Sequence, residues 1–553
     1  MSDACGFPGT PQWTGSAFAG QRLDFAGFAT RKPSVELNRN ETDSPSLREQ
    51  LFQQILLARQ RVYAVRGPTP LERLDVGPDI EVWVKREDQP PIHSYKWRGA
   101  YNNIASLESE CRERGVVCAS AGNHAQGVAL AAAELGCPAT VFMPRPTPQM
   151  KQNAVRKHGG DRVTVHLSGD TYDEAYAVAR EHAKQSGQTF VHAYDDLVTM
   201  GGQGTLADEV VMSGIGEFDV AFLQIGGGGM AASVACWLKH YMPEIRIIGV
   251  EGEGQASMKR AVENGAPIEL DELDIFCDGT AVRRAGDLTY QLCAELIDEF
   301  VTVSNQQVCN AIRNFWTWRR RVVEPAGAIG LAGMLAERDR LRGKRVLTVT
   351  CGSNMDFSQL AVIGAETGIG GRHRHHLRFR IDQQQGSLLG LMQQALSGCN
   401  IVEFQYGKSE SKWAYPVIGF DSTPEVLRQV HDKCAEIGVE VEDVSGGEDI
   451  QFRVVHFEAE TFRHPLMINY EFPERAGALH EFLGEIQDSA NICYFNYKYS
   501  GERVGRAIVG LEFSGTDQRE ELVQRLQSNR ILRGRYQMLS ESVVARMLGK
   551  RRS

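Results

Sequence analysis

The sequence predicts an α/β region followed by a duplicated α+β tail, and three observations carry that reading. Between Ser46 and Gly370 short β-branched runs alternate with longer helical stretches, the pattern of a largely parallel sheet with helices on both faces. Several runs end in glycine or other small residues, where open parallel sheets hold their ligands. After Gly370 the chain repeats itself at a shift of 91 residues. At 553 residues the chain is too long for one core, so several units are expected. Its 42% hydrophobic and 24% charged content is that of a globular protein. A net charge of −10 argues against a nucleic-acid-binding surface.

Residues 1–45 are rich in Gly, Pro, Ser and Thr and read as a flexible extension. They carry Asp3, Asp24, Glu36 and Glu41, unlike an acid-poor organelle peptide, and have no continuous apolar stretch for a secretory signal. Cytoplasm is the default location, with organelle import left open. No apolar run reaches 18 residues, so no membrane span is expected. The twelve cysteines form no C-x-x-C pairs, which points to reduced residues rather than a zinc site or disulfide framework.

Residues 46–370 form the expected α/β unit. A strand over Glu81–Lys85, a turn with Pro90 and Pro91, and a helix over Tyr101–Glu108 flank Ser94-Tyr95-Lys96-Trp97-Arg98-Gly99-Ala100. Gly115–Ala119 leads to a helix through Ala133, and Pro138–Met143 leads to another after Pro148. Val220–Ile225 leads to a helix over Met230–His240, and Ile245–Val250 follows. Arg372-His373-Arg374-His375-His376 reads as a polar linker, 371–376. Three histidines could suggest a metal, but no carboxylate or cysteine lies nearby in sequence, and no metal is expected. In the tail, Gly386 falls on Gly477, Leu388 on Leu479, Asn400 on Asn491, Phe404 on Phe495 and Tyr406 on Tyr497. Two like modules, 377–465 and 466–553, therefore pack side by side or sheet to sheet. Neither holds a catalytic constellation, which favours a binding or regulatory role.

Four segments carry chemistry. Lys96 sits beside bulky aromatics, where desolvation would disfavour the ammonium and give a nucleophilic amine able to form a Schiff base. Taken alone it would read as a surface lysine at a helix start. Ser120-Ala121-Gly122-Asn123-His124 opens a helix with small residues, leaving N–H groups for an anion. Ser120, Gly122 and His124 are candidates for a substrate carboxylate, and Asn123 for a ring oxygen; a plain capped helix is the bland alternative. Gly226-Gly227-Gly228-Gly229-Met230 costs too much backbone entropy for a simple turn and suits a phosphate cradle. It matches neither the dinucleotide fingerprint nor the Walker pattern, although Glu251 after the next strand could in principle hold a ribose. Cys351, in Val349-Thr350-Cys351-Gly352, could present a neutral partner to a ring nitrogen, or could simply be packed.

Together these segments resemble those of the fold-type II pyridoxal 5′-phosphate enzymes, specifically the threonine dehydratases (threonine ammonia-lyases). Val84-Lys85-Arg86-Glu87-Asp88, Asp278-Gly279-Thr280-Ala281-Val282 and Glu324-Pro325-Ala326-Gly327-Ala328 also resemble family segments. The tail resembles the paired ACT-like domains of the biosynthetic, isoleucine-controlled form, and Pro473-Glu474-Arg475-Ala476-Gly477-Ala478-Leu479 is especially typical. Departures stand at Tyr95 and Trp97, where the family has Phe and a smaller aliphatic residue. Gln224-Ile225 replaces Pro-Val, and Cys351 replaces the serine of the biosynthetic branch. Trp97 in particular could crowd the pocket or a subunit contact.

The resemblance implies a catalytic region of two α/β subdomains. It implies an imine on Lys96, with the cofactor held by Lys96, Asn123, Gly226 to Gly229, Met230 and Cys351. The implied reaction eliminates water from threonine, or alternatively serine, giving for threonine 2-oxobutanoate and ammonia on the way to isoleucine. It further implies inhibition by isoleucine relieved by valine, with Gly386 and Gly477 at the effector edges, and a homotetramer or homodimer. A degradative serine/threonine dehydratase, a racemase, or a non-catalytic amino-acid sensor are the competing readings.

Overall fold

The computed structural model describes residues 45–89, 91–357, 359–367, 373–445, 447–451, 453–473, 478–486, 488–498, 504–527 and 535–548. The expected N-terminal extension and the Gly477 turn lie outside these residues. Ser46–Ser553 forms one compact unit.

The α/β region holds two sheets rather than one. The larger has six strands in the order Leu71–Leu74, Glu81–Arg86, Arg345–Thr350, Val220–Gln224, Arg246–Gly252, Glu299–Val303. Only its first pair is antiparallel. The smaller is wholly parallel, in the order Val163–Leu167, Ala139–Met143, Val116–Ala119, Thr189–Phe190. It is built from a segment inserted between the second and third large-sheet strands of the chain. The central strands Val116–Ala119, Ala139–Met143 and Val220–Gln224 are buried throughout, as parallel strands covered on both faces must be.

Between the sheets lies the helix Lys96–Ala105, five residues earlier than the sequence pattern suggests. A second short helix, Ser109–Arg114, follows it. Glycines let its neighbours approach. A Cβ on Gly127 of the helix Asn123–Leu135 would lie 3.0 Å from the Lys96 carbonyl oxygen. One on Gly99 would lie 2.8 Å from the carbonyl oxygen of Thr199, on the helix Leu197–Met212. Behind this junction Lys85, Glu87, Arg98 and Glu209 form a fully buried ion network. Lys85 reaches Glu209 at 2.6 Å and Arg98 reaches Glu87 at 2.8 Å.

Within the described residues the expected linker is not a linker. His373–Asp382 is a strand, because His373 through Arg378 pair with Val417–Ser422 and so gain a full hydrogen-bond ladder. Each copy of the tail runs strand, helix, strand, strand, helix, strand, the first with an added two-residue strand, Trp413–Ala414, before its third, and the two join edge to edge in one nine-stranded sheet. At the join Phe404 faces Tyr497, Gln405 faces Asn496 and Tyr406 faces Phe495. Under the 91-residue shift these are the same three positions in reverse, so the contact has a pseudo-two-fold axis through Gln405 and Asn496. Even the bulges correspond, lying between Ile401 and Glu403 in one copy and between Ile492 and Tyr494 in the other. Phe404 and Phe495 meet edge to face at 4.7 Å inside a shared core.

Candidate active site

A cavity of about 860 Å³ opens between the two sheets of the α/β region, at the carboxyl ends of the strands. It is lined by Lys96, Ser120, Gly122, Asn123, His124, Gly226 through Met230 and Cys351. Segments more than 250 residues apart in sequence thus meet at one place. Tyr95 lines it too, with its ring 5.2 Å from Lys96 Nζ. Trp97 does not line it: it is buried in the core behind, with the guanidinium groups of Arg66 and Arg98 each 5.0 Å from its ring. The crowding expected of Trp97 therefore does not occur in this pocket, because helical geometry turns adjacent side chains to different faces.

Lys96 is the first residue of its helix, and its start is pinned to the end of the Arg345–Thr350 strand. Ser94 Oγ and the Tyr95 N–H both donate to the Cys351 carbonyl, at 3.0 and 3.3 Å. Lys96 Nζ donates to the Ala193 carbonyl at 2.9 Å. Burial without a carboxylate partner brings its pKa down from 10.5 to about 8, so a usable fraction is neutral near pH 7.

The four glycines form a cradle that admits no side chain. Gly227 lies against the Tyr194 ring, and a Cβ on Gly229 would lie 2.8 Å from the Tyr194 carbonyl oxygen. Gly228 has φ +93°, and a Cβ there would meet Thr289 Cβ at 2.9 Å. Immediately after comes the helix Gly229–Tyr241, whose first N–H groups have no partner within it. A phosphate-sized anion suits such a cradle. Thr289 Oγ1 donates to the Gly227 carbonyl at 2.6 Å and holds the loop from outside.

The segment His192–Asp195 is a part of the site that the sequence reading missed. His192 Nδ1 accepts the N–H groups of Tyr194 and Asp195, at 3.3 and 2.8 Å. That turn sets the Ala193 carbonyl before Lys96 and the Tyr194 ring before Gly227. Asp195 in turn accepts the N–H groups of Asp287, Leu288 and Thr289 at the start of the helix Asp287–Leu296. No glycine run or motif marked it; only a histidine followed by two aspartates three and four residues later was visible.

Asn123 Nδ2 donates to Glu324 Oε1 at 2.7 Å, and Asn123 Oδ1 accepts from Asn354 Nδ2 at 2.7 Å. His124 is buried, and its Nε2 donates to the Val191 carbonyl at 2.9 Å. Burial and the nearby Lys96 push its pKa down to about 3, so it faces the cavity neutral. Burial and the nearby Glu324 push the Cys351 thiol up to about 12, so it too is neutral. Gln224, one of the departures from the family pattern, donates from Nε2 to the Val349 carbonyl at 3.0 Å, tying the glycine-loop strand to the Cys351 strand. Glu251 spends both oxygens on the N–H groups of Met258 and Lys259, at 2.9 and 2.8 Å. It caps a helix and is buried, so the ribose role weighed for it does not hold.

A reactive amine, a phosphate cradle, an amide and a neutral thiol around one cavity fit an aldehyde cofactor with a phosphate and a ring nitrogen. Comparison with known proteins agrees. A family model described as pyridoxal-phosphate dependent enzyme matches residues 62–352. A second, the C-terminal regulatory domain of threonine dehydratase, matches residues 463–541. The "L-threonine dehydratase biosynthetic IlvA" of Haemophilus influenzae is 37% identical over 470 residues, covering 83% of this chain and 90% of that protein. The "Threonine dehydratase 1 biosynthetic, chloroplastic" of Solanum lycopersicum is 34% identical, covering 82% of this chain and 75% of its own. Among solved structures, the processed form of threonine deaminase isoform 2 from Solanum lycopersicum aligns at TM-score 0.55 and 37% identity, covering 58% of this chain and 94% of that one. Maize serine racemase aligns at TM-score 0.53 and 29% identity, over 57% and 96%. The cavity chemistry, the duplicated tail and these likenesses converge: the chain belongs to the biosynthetic threonine dehydratase family of pyridoxal-phosphate dependent enzymes.

Proposed function

We propose that the cavity deaminates L-threonine to 2-oxobutanoate and ammonia by eliminating water, the first step towards isoleucine. The observation that carries this is Lys96 Nζ, an amine of lowered pKa facing the glycine cradle in one cavity. Bound pyridoxal phosphate supplies an aldehyde for amines and a ring that accepts the electron pair left at Cα. Lys96 Nζ removes the Cα proton of the substrate. The cradle at Gly226 to Gly229, with Met230, would anchor the phosphate through its N–H groups and so orient the ring against Lys96. Asn123 would hold the ring oxygen. Cys351, as a neutral thiol, leaves the ring nitrogen unprotonated, which favours prompt loss of the β-hydroxyl over transamination. The N–H groups around Ser120 and Gly122 receive the substrate carboxylate. His124 shapes that end of the pocket as a neutral ring.

Control by isoleucine, relieved by valine, fits a small apolar pocket between the two tail copies. Gly386, Leu388 and Tyr406 of the first copy face Leu483, Ile486 and Ile492 of the second there. An effector that fits one arrangement of the copies better than another couples its binding to activity. Gly386, with φ +88°, opens the helix Ser387–Gln394 at this pocket. The chain works as a homotetramer or homodimer, which sedimentation would test. Purified protein given threonine or serine should release 2-oxo acid, and isoleucine should inhibit it. Release from neither substrate would sink this reading, and release from serine alone would favour the serine dehydratase alternative. Lys96→Ala should abolish turnover and the visible absorbance of the bound cofactor.

A further inference from the structure

Glu324 has no role in the reaction as described, yet its carboxylate is buried at the wall of the cavity. Two donors meet it. Asn123 Nδ2 donates to Oε1 at 2.7 Å, and the Asn354 N–H donates to Oε2 at 2.9 Å. Asn354 Nδ2 donates to Asn123 Oδ1 at 2.7 Å, and also to the Ile92 carbonyl at 2.6 Å. The ring of hydrogen bonds has only one consistent sense. The Asn354 N–H can only donate, and its side-chain amide is committed as a donor by Ile92. Asn123 must therefore turn its oxygen to Asn354 and its nitrogen to Glu324. A carboxylate completes the circuit, because two donors converge on it.

We propose that Glu324 is a positioning residue for the reaction: its carboxylate, acting with the Asn354 side chain, holds the Asn123 amide with its nitrogen end towards the cofactor ring. This rests on the placement of Asn123 beside that ring. With Nδ2 held on the Glu324 side, the second N–H of the same amide is free for the ring oxygen, an acceptor. If Glu324 takes up a proton on Oε1, that O–H needs an acceptor, and Asn123 can supply one only by flipping. Flipping sets its nitrogen against the Asn354 amide nitrogen, donor against donor. The orientation of Asn123 and the charge of Glu324 are thus one variable. Asp278 and Lys151 also act electrostatically on Glu324, and Cys351 and Tyr95 feel its charge in turn. Burial first, then Asp278, raise its pKa to about 7, which puts this variable within the working pH range.

The test is the holoenzyme carrying Glu324→Gln, Asn123→Ala, or both, followed by the pH titration of the bound cofactor's absorbance and by steady-state kinetics. A glutamine offers one acceptor to two donors, so E324Q should move the absorbance midpoint and lower kcat roughly tenfold with KM little changed. E324D, which keeps two acceptor oxygens, should restore part of both. On the Asn123→Ala background E324Q should have no further effect on the absorbance midpoint, since the amide it orients is gone. A normal absorbance titration in E324Q, while N123A alters it, would overturn the inference and leave the placement of Asn123 standing. An unaltered titration in N123A would overturn that placement and this inference with it. A purely structural Glu324 would lower the melting temperature of the cofactor-free protein without moving the midpoint, which also overturns it.

Discussion

Gly228→Ala is the sharpest single test of the phosphate cradle. Gly228 holds φ +93° and ψ −15°, a region that costs an L-residue about 1–2 kcal/mol. The new methyl would also lie 2.9 Å from Thr289 Cβ and 2.5 Å from Met258 Cε. Met258 is flexible and can retreat. Thr289 is not, since its hydroxyl holds the Gly227 carbonyl and its N–H is bonded to Asp195. Overpacking of this kind adds roughly 1–3 kcal/mol. The two effects together come to roughly 2–5 kcal/mol, shared between the stability of the protein and the geometry of the loop. Expressed wholly as cofactor affinity, that is a loss of about 30- to 5,000-fold. The assay is titration of cofactor-free protein with pyridoxal phosphate, followed by absorbance, beside thermal unfolding of the cofactor-free protein. Gly364→Ala serves as control, because nothing lies within 4 Å of a Cβ there and its φ is ordinary. If Gly228→Ala keeps both the affinity and the melting temperature of the wild type, the cradle argument is wrong.

Other consequences follow from the same structure. Arg98→Ala strips the buried Glu87 and Glu209 of a shared partner and should cost about 3–5 kcal/mol in denaturant unfolding; a change below 1 kcal/mol would show the network to be solvated. Uptake of cofactor by Lys96 needs the neutral amine, whose fraction reaches one half at a pH of about 8. The rate of reconstitution should therefore climb through pH 7 and 8 and level off about one unit above the pKa, and a rate still rising steeply at about pH 10 would mean an ordinary lysine. His124 has its folded pKa depressed to about 3, so below about 6.5 the unfolded chain binds the extra proton and stability falls with pH. Between pH 7 and 5 the wild type should lose about 2 kcal/mol more than His124→Gln, measured by urea unfolding at both values. Filling the pocket between the tail copies with Ile486→Trp should abolish inhibition by isoleucine while threonine turnover persists; unchanged inhibition would place the effector elsewhere.

Much of the site was legible in the sequence because single residue types are forced there. Four consecutive glycines have few uses other than close backbone approach to a ligand, and a lysine between aromatics before a small-residue helix is unusual on a surface. The duplication was equally legible, since register survives in Gly386, Asn400, Phe404 and Tyr406 without a gap. Glu324 and the His192–Asp195 turn were not, because neither type nor spacing distinguishes a carboxylate or a polar turn until partners distant in sequence surround it. The linker was misjudged for a related reason. Three histidines look solvated, and only the pairing of His373–Arg378 with Val417–Ser422 makes them a strand.

The sequence by itself determined the chemistry this protein can hold: an amine, an anion cradle, an amide and a thiol, at the ends of predicted strands, ahead of a repeated module. Those properties are local, set by side-chain type and backbone freedom. Only the tertiary structure decided that Lys96 meets Ala193 and Cys351, that Trp97 turns away from the pocket, and that the two modules share one sheet about a pseudo-two-fold axis. Burial, and with it the lowered pKa of Lys96 and the neutrality of His124 and Cys351, arises from packing between distant segments, and no local pattern encodes it.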